Sequence, residues 1–172
     1  MLPFISSLYP QTKTMKTTVS VFRKTTMNSQ EVYSIRINNE HIYTVVTKNA
    51  STMIHADEIP ESLHGFLSNP YFRFVGVGIQ SDVDKLGCDY NIGVMNTFDL
   101  GNLAAVKYGN KGFKNVGLMG LAEVVLGCGE IEKPRNVTLS NWDQYHLTPA
   151  QIKYACVDAY VSFKIGKQLL QV

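Results

Sequence analysis

Tyr154 and Asp158 stand four positions apart in the segment Leu147-Thr148-Pro149-Ala150-Gln151-Ile152-Lys153-Tyr154-Ala155-Cys156-Val157-Asp158-Ala159-Tyr160. On a helix that spacing is about one turn, so a phenol hydroxyl and a carboxylate share a face and can act on the same ligand. The neighbours Ala155, Val157, Ala159 and Val161 are small or apolar. An ionised carboxylate in such company requires a cation or a strong hydrogen-bond partner. The helix start is well marked, because Thr148 suits the cap, Pro149 the first helical position and Gln151 the third member of a capping box. Taken alone, a Tyr-x-x-x-Asp pair also suits a solvated acid beside a half-buried core aromatic.

A second segment, Phe72-Arg73-Phe74-Val75-Gly76-Val77-Gly78-Ile79-Gln80-Ser81-Asp82-Val83-Asp84-Lys85-Leu86, reads as a buried strand running into a helix. Gly76 and Gly78 alternate onto one face and leave it bare, where a backbone or a ligand can approach. Ser81 is the expected N-cap. Asp82 and Asp84 then face the positive end of the helix, which by itself would account for both acids.

Together these segments closely resemble the 3'-5' exonuclease domain of the DEDDy group, in particular the Werner-syndrome-like exonucleases and their small single-domain plant relatives. The resemblance runs from about Ile59 to Leu170 and includes Pro60-Glu61-Ser62-Leu63-His64-Gly65-Phe66-Leu67, the Val75 to Ile79 strand, Asn141-Trp142 and the Tyr154 to Tyr160 helix. It implies an α/β, ribonuclease H-like fold that hydrolyses phosphodiester bonds from 3' ends of DNA or RNA with Mg2+ or Mn2+. It further implies that Asp158 ligates a metal directly, that Asp82 helps hold the second through its water shell, and that Tyr154 orients the attacking water. Two cations about 3.5 to 4 Å apart clamp the attacking and leaving oxygens in such chemistry, and magnesium favours a few well-placed carboxylates.

The family's first motif, an Asp-x-Glu on the central strand, has no counterpart in this sequence. Asp57 and Glu58 are adjacent and would point to opposite sides of a strand. Glu130-Ile131-Glu132 has the spacing without the aspartate and borders Lys133-Pro134, a loop signal. Upstream, residues 32–47 alternate around Asn38-Asn39 as a β-hairpin does. Relatives then carry a helix and the motif-bearing strand, whereas here Ser51-Thr52-Met53 leads almost directly to Ile59. The expectation is a fold incomplete at its central strand, with several dozen residues missing near Met53 and Ile54. The domain reading is a flexible segment over 1–30, a hairpin region over 31–53 and an exonuclease-like domain over 54–172.

The remaining elements read as a short helix over Pro60 to Leu67, a strand end at Asn96 to Leu100, and helices over Leu103 to Tyr108 and Val116 to Leu126, the last closed by Gly127. A 172-residue chain with 45% hydrophobic and 17% charged residues can bury one real core. The formal net charge of +2 does not announce nucleic-acid binding. Lys107, Lys111 and Lys114, and Lys133 with Arg135, offer local phosphate contacts or plain solvated charge. Trp142 is expected to pack, not to stack on a base.

Cys88, Cys128 and Cys156 form no Cys-x-x-Cys pair, which argues against structural zinc or a disulfide framework. His41, His55, His64 and His146 lack metal-ligand spacing. No stretch approaches the roughly 20 apolar residues of a membrane span. Residues 1–30 hold no Asp or Glu but several basic and hydroxyl residues, a faint transit-peptide pattern; the nucleus or cytoplasm is the expected location. Two functions compete: a metal-dependent 3'-5' exonuclease, and an inactive exonuclease-like protein that binds nucleic-acid ends or a protein partner.

Overall fold

The computed structural model describes residues 19–27, 30–37, 40–47, 61–127, 134–144 and 146–171, with only the backbone course described for the first three stretches. Those three are strands β1 (Val19–Met27), β2 (Gln30–Ile37) and β3 (Glu40–Thr47), an antiparallel sheet in the order β1-β2-β3. Ile37 pairs with Glu40, so β2 and β3 form the hairpin expected about residues 38 and 39. β1 was not expected. Residues 19–27 fall in the segment read as flexible, yet they pair with β2 along nearly their whole length, with a bulge between Val21 and Arg23. A strand whose N–H and C=O groups find cross-strand partners is held by those bonds whatever its own side-chain pattern. The junction near Met53 and Ile54, and Asp57 and Glu58, lie outside the described residues.

From residue 61 the chain alternates helix and strand. α1 (Glu61–Leu67) leads to the short strand β4 (Phe74–Gly76), then α2 (Ile79–Tyr90), β5 (Thr97–Asp99) and α3 (Leu100–Lys107). A 3-10 turn (Lys111–Asn115) connects to α4 (Leu118–Leu126), followed by the single-turn α5 (Arg135–Thr138) and the long α6 (Pro149–Leu170). β4 and β5 pair in parallel, Val75 opposite Phe98, with α2 as the crossover. The molecule is therefore α/β, with a two-stranded parallel ribbon among the described residues. β4 pairs only with β5 there, so its second edge carries no strand among the described residues.

The strand expected to be buried is half-buried and only three residues long. α2 also begins earlier than expected: its N-cap is Gly78, at φ 69°, and Ser81 lies inside the helix. The left-handed conformation is cheap only for glycine, so Gly78 turns the chain from strand to helix within two residues. α3 likewise starts at Leu100 and not Leu103, because the Asp99 carboxylate caps it. α4 ends at Gly127 as expected, in the left-handed cap conformation at φ 64°.

α6 is the pillar of the core. Val157, Val161, Ile165 and Leu169 recur every fourth residue and, with Ile152 and Cys156, form an apolar stripe packed on Leu100 and Ala104 of α3 and on Leu121, Ala122 and Val125 of α4. Leu100, Leu121 and Ile165 are fully buried. The stripe meets the ribbon at Gly166, where an added Cβ would lie 2.9 Å from the nearest methyl of Val75. At the far end the Lys107 ammonium donates to the Gln168 carbonyl at 2.7 Å, satisfying a last-turn acceptor and tying α3 to α6.

Gly166→Leu should lower stability by about 1–3 kcal/mol through overpacking against Val75, read as a shift of the denaturant midpoint. An unchanged midpoint would mean that α6 and β4 are not in the close approach described.

Candidate functional site

The N-terminus of α6 is built as the sequence predicted and then elaborated. The Thr148 hydroxyl accepts from the Gln151 N–H at 3.3 Å, and Gln151 Oε1 accepts from the Thr148 N–H at 2.8 Å, a complete capping box. Gln151 does more than the motif asks. It is 1% exposed, the one fully buried polar side chain among the described residues. Its Nε2 donates to Ser140 Oγ at 3.0 Å and to the Asn141 carbonyl at 2.8 Å, while Oε1 also accepts from Thr148 Oγ1 at 3.0 Å and from Gln144 Nε2. An amide carries two N–H donors and one carbonyl, and here all are used, which is what makes its burial tolerable. The consequence is a loop over residues 140–144 bolted to the first turn of α6.

That loop carries Trp142. Its ring lies 5.7 Å from the Tyr154 ring, centroid to centroid, at 60° between planes, and Nε1–H donates to the Thr138 carbonyl at 3.3 Å. Edge-on contact of this kind is the favoured arrangement for two aromatic quadrupoles. Tyr154 is half-buried, and Asp158 follows one turn later on the same face of α6. Asp158 is also half-buried, with Oδ1 enclosed within the protein. Val157 and Val161 beside it are buried, whereas Ala155 and Ala159 face outward, so its surroundings are apolar on one side only.

Asp82 occupies the first turn of α2, as expected, and is exposed. Its placement depends on a residue that the sequence reading treated only as the end of a strand. Asp99, at the tip of β5, receives the Asn102 N–H on Oδ1 at 2.8 Å and the Gly78 N–H on Oδ2 at 2.7 Å. One carboxylate thus starts α3 and fixes the strand-to-helix turn from which α2 and Asp82 depart. The N-cap half of this was legible in Asp99-Leu100-Gly101-Asn102; the Gly78 half, 21 residues away, was not.

α2 packs against β5, whereas α6 packs against β4, α3, α4 and α5 and also meets β2. Asp82 and Asp158 therefore stand on two helices joined through the same ribbon, and the helices share no extensive contact of their own. Among the described residues no three His, Cys, Asp or Glu side chains come together in a group that could hold a metal ion. The described residues by themselves thus do not make up a complete two-cation centre. Of the basic residues, Lys111, Lys114 and Arg135 are exposed, Lys107 is engaged with Gln168, and Lys133 lies outside the described residues. Neither Cys88, which is exposed, nor Cys156, which is buried, is in a disulfide. No helix among the described residues is long and apolar enough to cross a membrane.

The sequence profile described as 3'-5' exonuclease matches residues 22–172. A 3'-5' exonuclease of Arabidopsis thaliana is 39% identical over 111 residues, covering 64% of this chain and 38% of the relative. The exonuclease 3'-5' domain-containing protein 2 of Homo sapiens is 35% identical over 112 residues, 65% of this chain and 18% of its own length. The bifunctional 3'-5' exonuclease/ATP-dependent helicase WRN of Mus musculus is 33% identical over 110 residues, 64% of this chain and 8% of its own. The chain thus spans less than two fifths of each of these relatives. Among solved structures, the EXD2 exonuclease domain soaked in Mn and Mg shares 27% identity, covering 88% of this chain and 75% of that one with a TM-score of 0.35.

Substitutions at two positions check this geometry. Asp99→Ala should cost about 1–2 kcal/mol through the lost cap alone, while Asp99→Asn, which keeps one acceptor, should recover part of it; equal losses in both would contradict the two-sided role. Gln151→Leu leaves Ser140, Asn141 and Thr148 without their buried partner and should cost roughly 1–3 kcal/mol; thermal unfolding at the wild-type temperature would argue against the network.

Proposed function

This chain belongs to the 3'-5' exonuclease family, and from that premise we propose that it holds the 3' end of a DNA or RNA strand and hydrolyses the terminal phosphodiester bond. The observation that carries the reading is the α6 face on which Tyr154 and Asp158 lie one turn apart, within the span that the family profile covers. Tyr154 is read as orienting the attacking water, and Asp158 and Asp82 as carboxylates of the site. A hydroxyl and a carboxylate separated by one helical turn on a rigid pillar can present two hydrogen-bonding groups to one water or one terminal hydroxyl. Fixing α6 at both ends, through Gln151 and through Lys107, keeps that pair in register.

The cofactor inferred from the family is Mg2+ or Mn2+. Asp82 and Asp158 are the carboxylates offered for it, short of the full set. We read the fold as ribonuclease H-like, its β4–β5 ribbon flanked by α2 and α6, with the second edge of β4 as the place where a motif-bearing central strand would pair. The absence of Asp-x-Glu from the sequence favours a second reading, in which the chain binds nucleic-acid ends or a protein partner without cutting.

The two readings separate in a digestion assay on a 5'-labelled single strand and a recessed duplex, run with magnesium, with manganese and with a chelator. Under the first reading the wild-type chain shortens the strand from its 3' end, and Asp158→Ala lowers the rate by about 100-fold or more, the order lost when a reacting group is misplaced. Tyr154→Phe should lower it less. Retention of the strand on a gel without shortening, in every condition, supports the second reading and rules out the first.

A further inference from the structure

Trp142 is the single tryptophan of the chain. It packs as expected, with its edge against Tyr154 and its N–H on the Thr138 carbonyl, but 37% of it stays exposed. A large ring is costly to leave in water and is usually covered more fully when its role is only to fill space. The exposure here does not come from a loose loop. The Asn141 carbonyl and Ser140 hydroxyl on one side of Trp142, and Gln144 on the other, are bonded to the buried Gln151 amide. The ring is therefore prearranged, with little rotamer freedom left to lose when something covers it.

Its position is specific as well. The side chain that Trp142 touches is Tyr154, the residue read as orienting water at the scissile bond. Lys153, next to Tyr154, and Arg135, which opens α5, are both exposed nearby in the chain and supply positive charge for a phosphate backbone. A flat, rigid, half-open ring is the kind of surface on which single strands are held, since every base has a π-face to stack.

We propose that Trp142 is a nucleobase platform: it stacks on the base at the 3' end of a single strand and sets the adjoining phosphodiester beside Tyr154 and Asp158. The platform rests on the reading of this chain as a protein of nucleic-acid ends. It holds for either version of that reading, because stacking is needed for gripping an end whether or not the end is cut. Its ligand class is a single-stranded 3' terminus with an intact base of any identity.

The test uses the full chain with a chelator present, so that binding is read without digestion. Two single strands of one sequence are compared, one ending in a normal 3' nucleotide and one in a 3' abasic residue. Fluorescence anisotropy of a 5' label gives the affinity, and the emission of Trp142 reports stacking directly. The wild-type chain should bind the base-bearing end roughly tenfold more tightly than the abasic end, with quenching only by the former. Trp142→Ala should abolish that preference by weakening the base-bearing complex alone. Trp142→Phe, which keeps an aromatic ring in the fold, should show a smaller loss in the same direction, and Tyr71→Ala, at a 91% exposed ring elsewhere, should leave both affinities unchanged. Equal affinity of the wild-type chain for the two ends, or equal weakening of both by Trp142→Ala, overturns the platform while leaving end-binding intact. Failure of the wild-type chain to bind either strand overturns the reading beneath it, and the platform with it.

Discussion

The Gln151 side-chain amide couples three things that the site requires at once: where α6 begins, where the 140–144 loop lies, and where Trp142 meets Tyr154. A polar group at 1% exposure survives only if each donor and acceptor is used, and this one is satisfied by Ser140, Asn141, Gln144 and Thr148, all of which precede it in the chain. Any shift of the helix start by one residue would rotate the pillar by about 100°, carrying Tyr154 and Asp158 off their face. The capping box is thus more than an end decoration. It sets the angular register of α6, the helix that runs from the loop to the β4–β5 ribbon.

Asp99 does for the ribbon what Gln151 does for the pillar. Its two oxygens divide between the first turn of α3 and the Gly78 turn, so the tip of β5 and the exit of β4 cannot separate without breaking a charge-assisted bond. Gly101 lets this happen at close range, since a Cβ there would come within 2.9 Å of the Phe113 carbonyl and 3.2 Å of the Asp99 carboxylate itself. The outcome is a small rigid frame of ribbon, α3 and 3-10 turn, against which α6 lays its apolar stripe. Functional side chains project from the ends and faces of that frame, not from its core, consistent with positioning by a rigid scaffold.

The carboxylate inventory is where the family's chemistry and this chain diverge. Two cations require ligands converging from several strands and helices, and a parallel ribbon of two strands offers fewer places from which to converge. Under the proposed ribonuclease H-like reading, one central strand would both pair the second edge of β4, which carries no strand among the described residues, and bring the Asp-x-Glu that the sequence lacks. Gripping an end makes lighter demands, because stacking and phosphate contacts do not depend on a complete metal centre.

Local chemistry was readable from the residues alone. Thr148, Pro149 and Gln151 announced the start of α6, Gly127 the end of α4, the 32–47 alternation a hairpin, and the four-residue step from Tyr154 to Asp158 a shared face, because caps, turns and helical periodicity are settled by neighbours in the chain. Where competing local signals existed, the fold chose: Gly78, whose N–H is held by Asp99 from 21 residues away, displaced Ser81 as the cap of α2, while the local cap of Asp99 on Asn102 started α3 three residues earlier than expected. The strand at 19–27, the second bond of Asp99, the full valence of Gln151 and the open face of Trp142 all depend on partners that only folding brings within reach. Sequence alone thus determined the caps, turns and helical faces that chain neighbours settle, and the chemical types they carry; tertiary structure added the strand at 19–27 and decided which groups meet, because burial and long-range hydrogen bonding are properties of the packed chain.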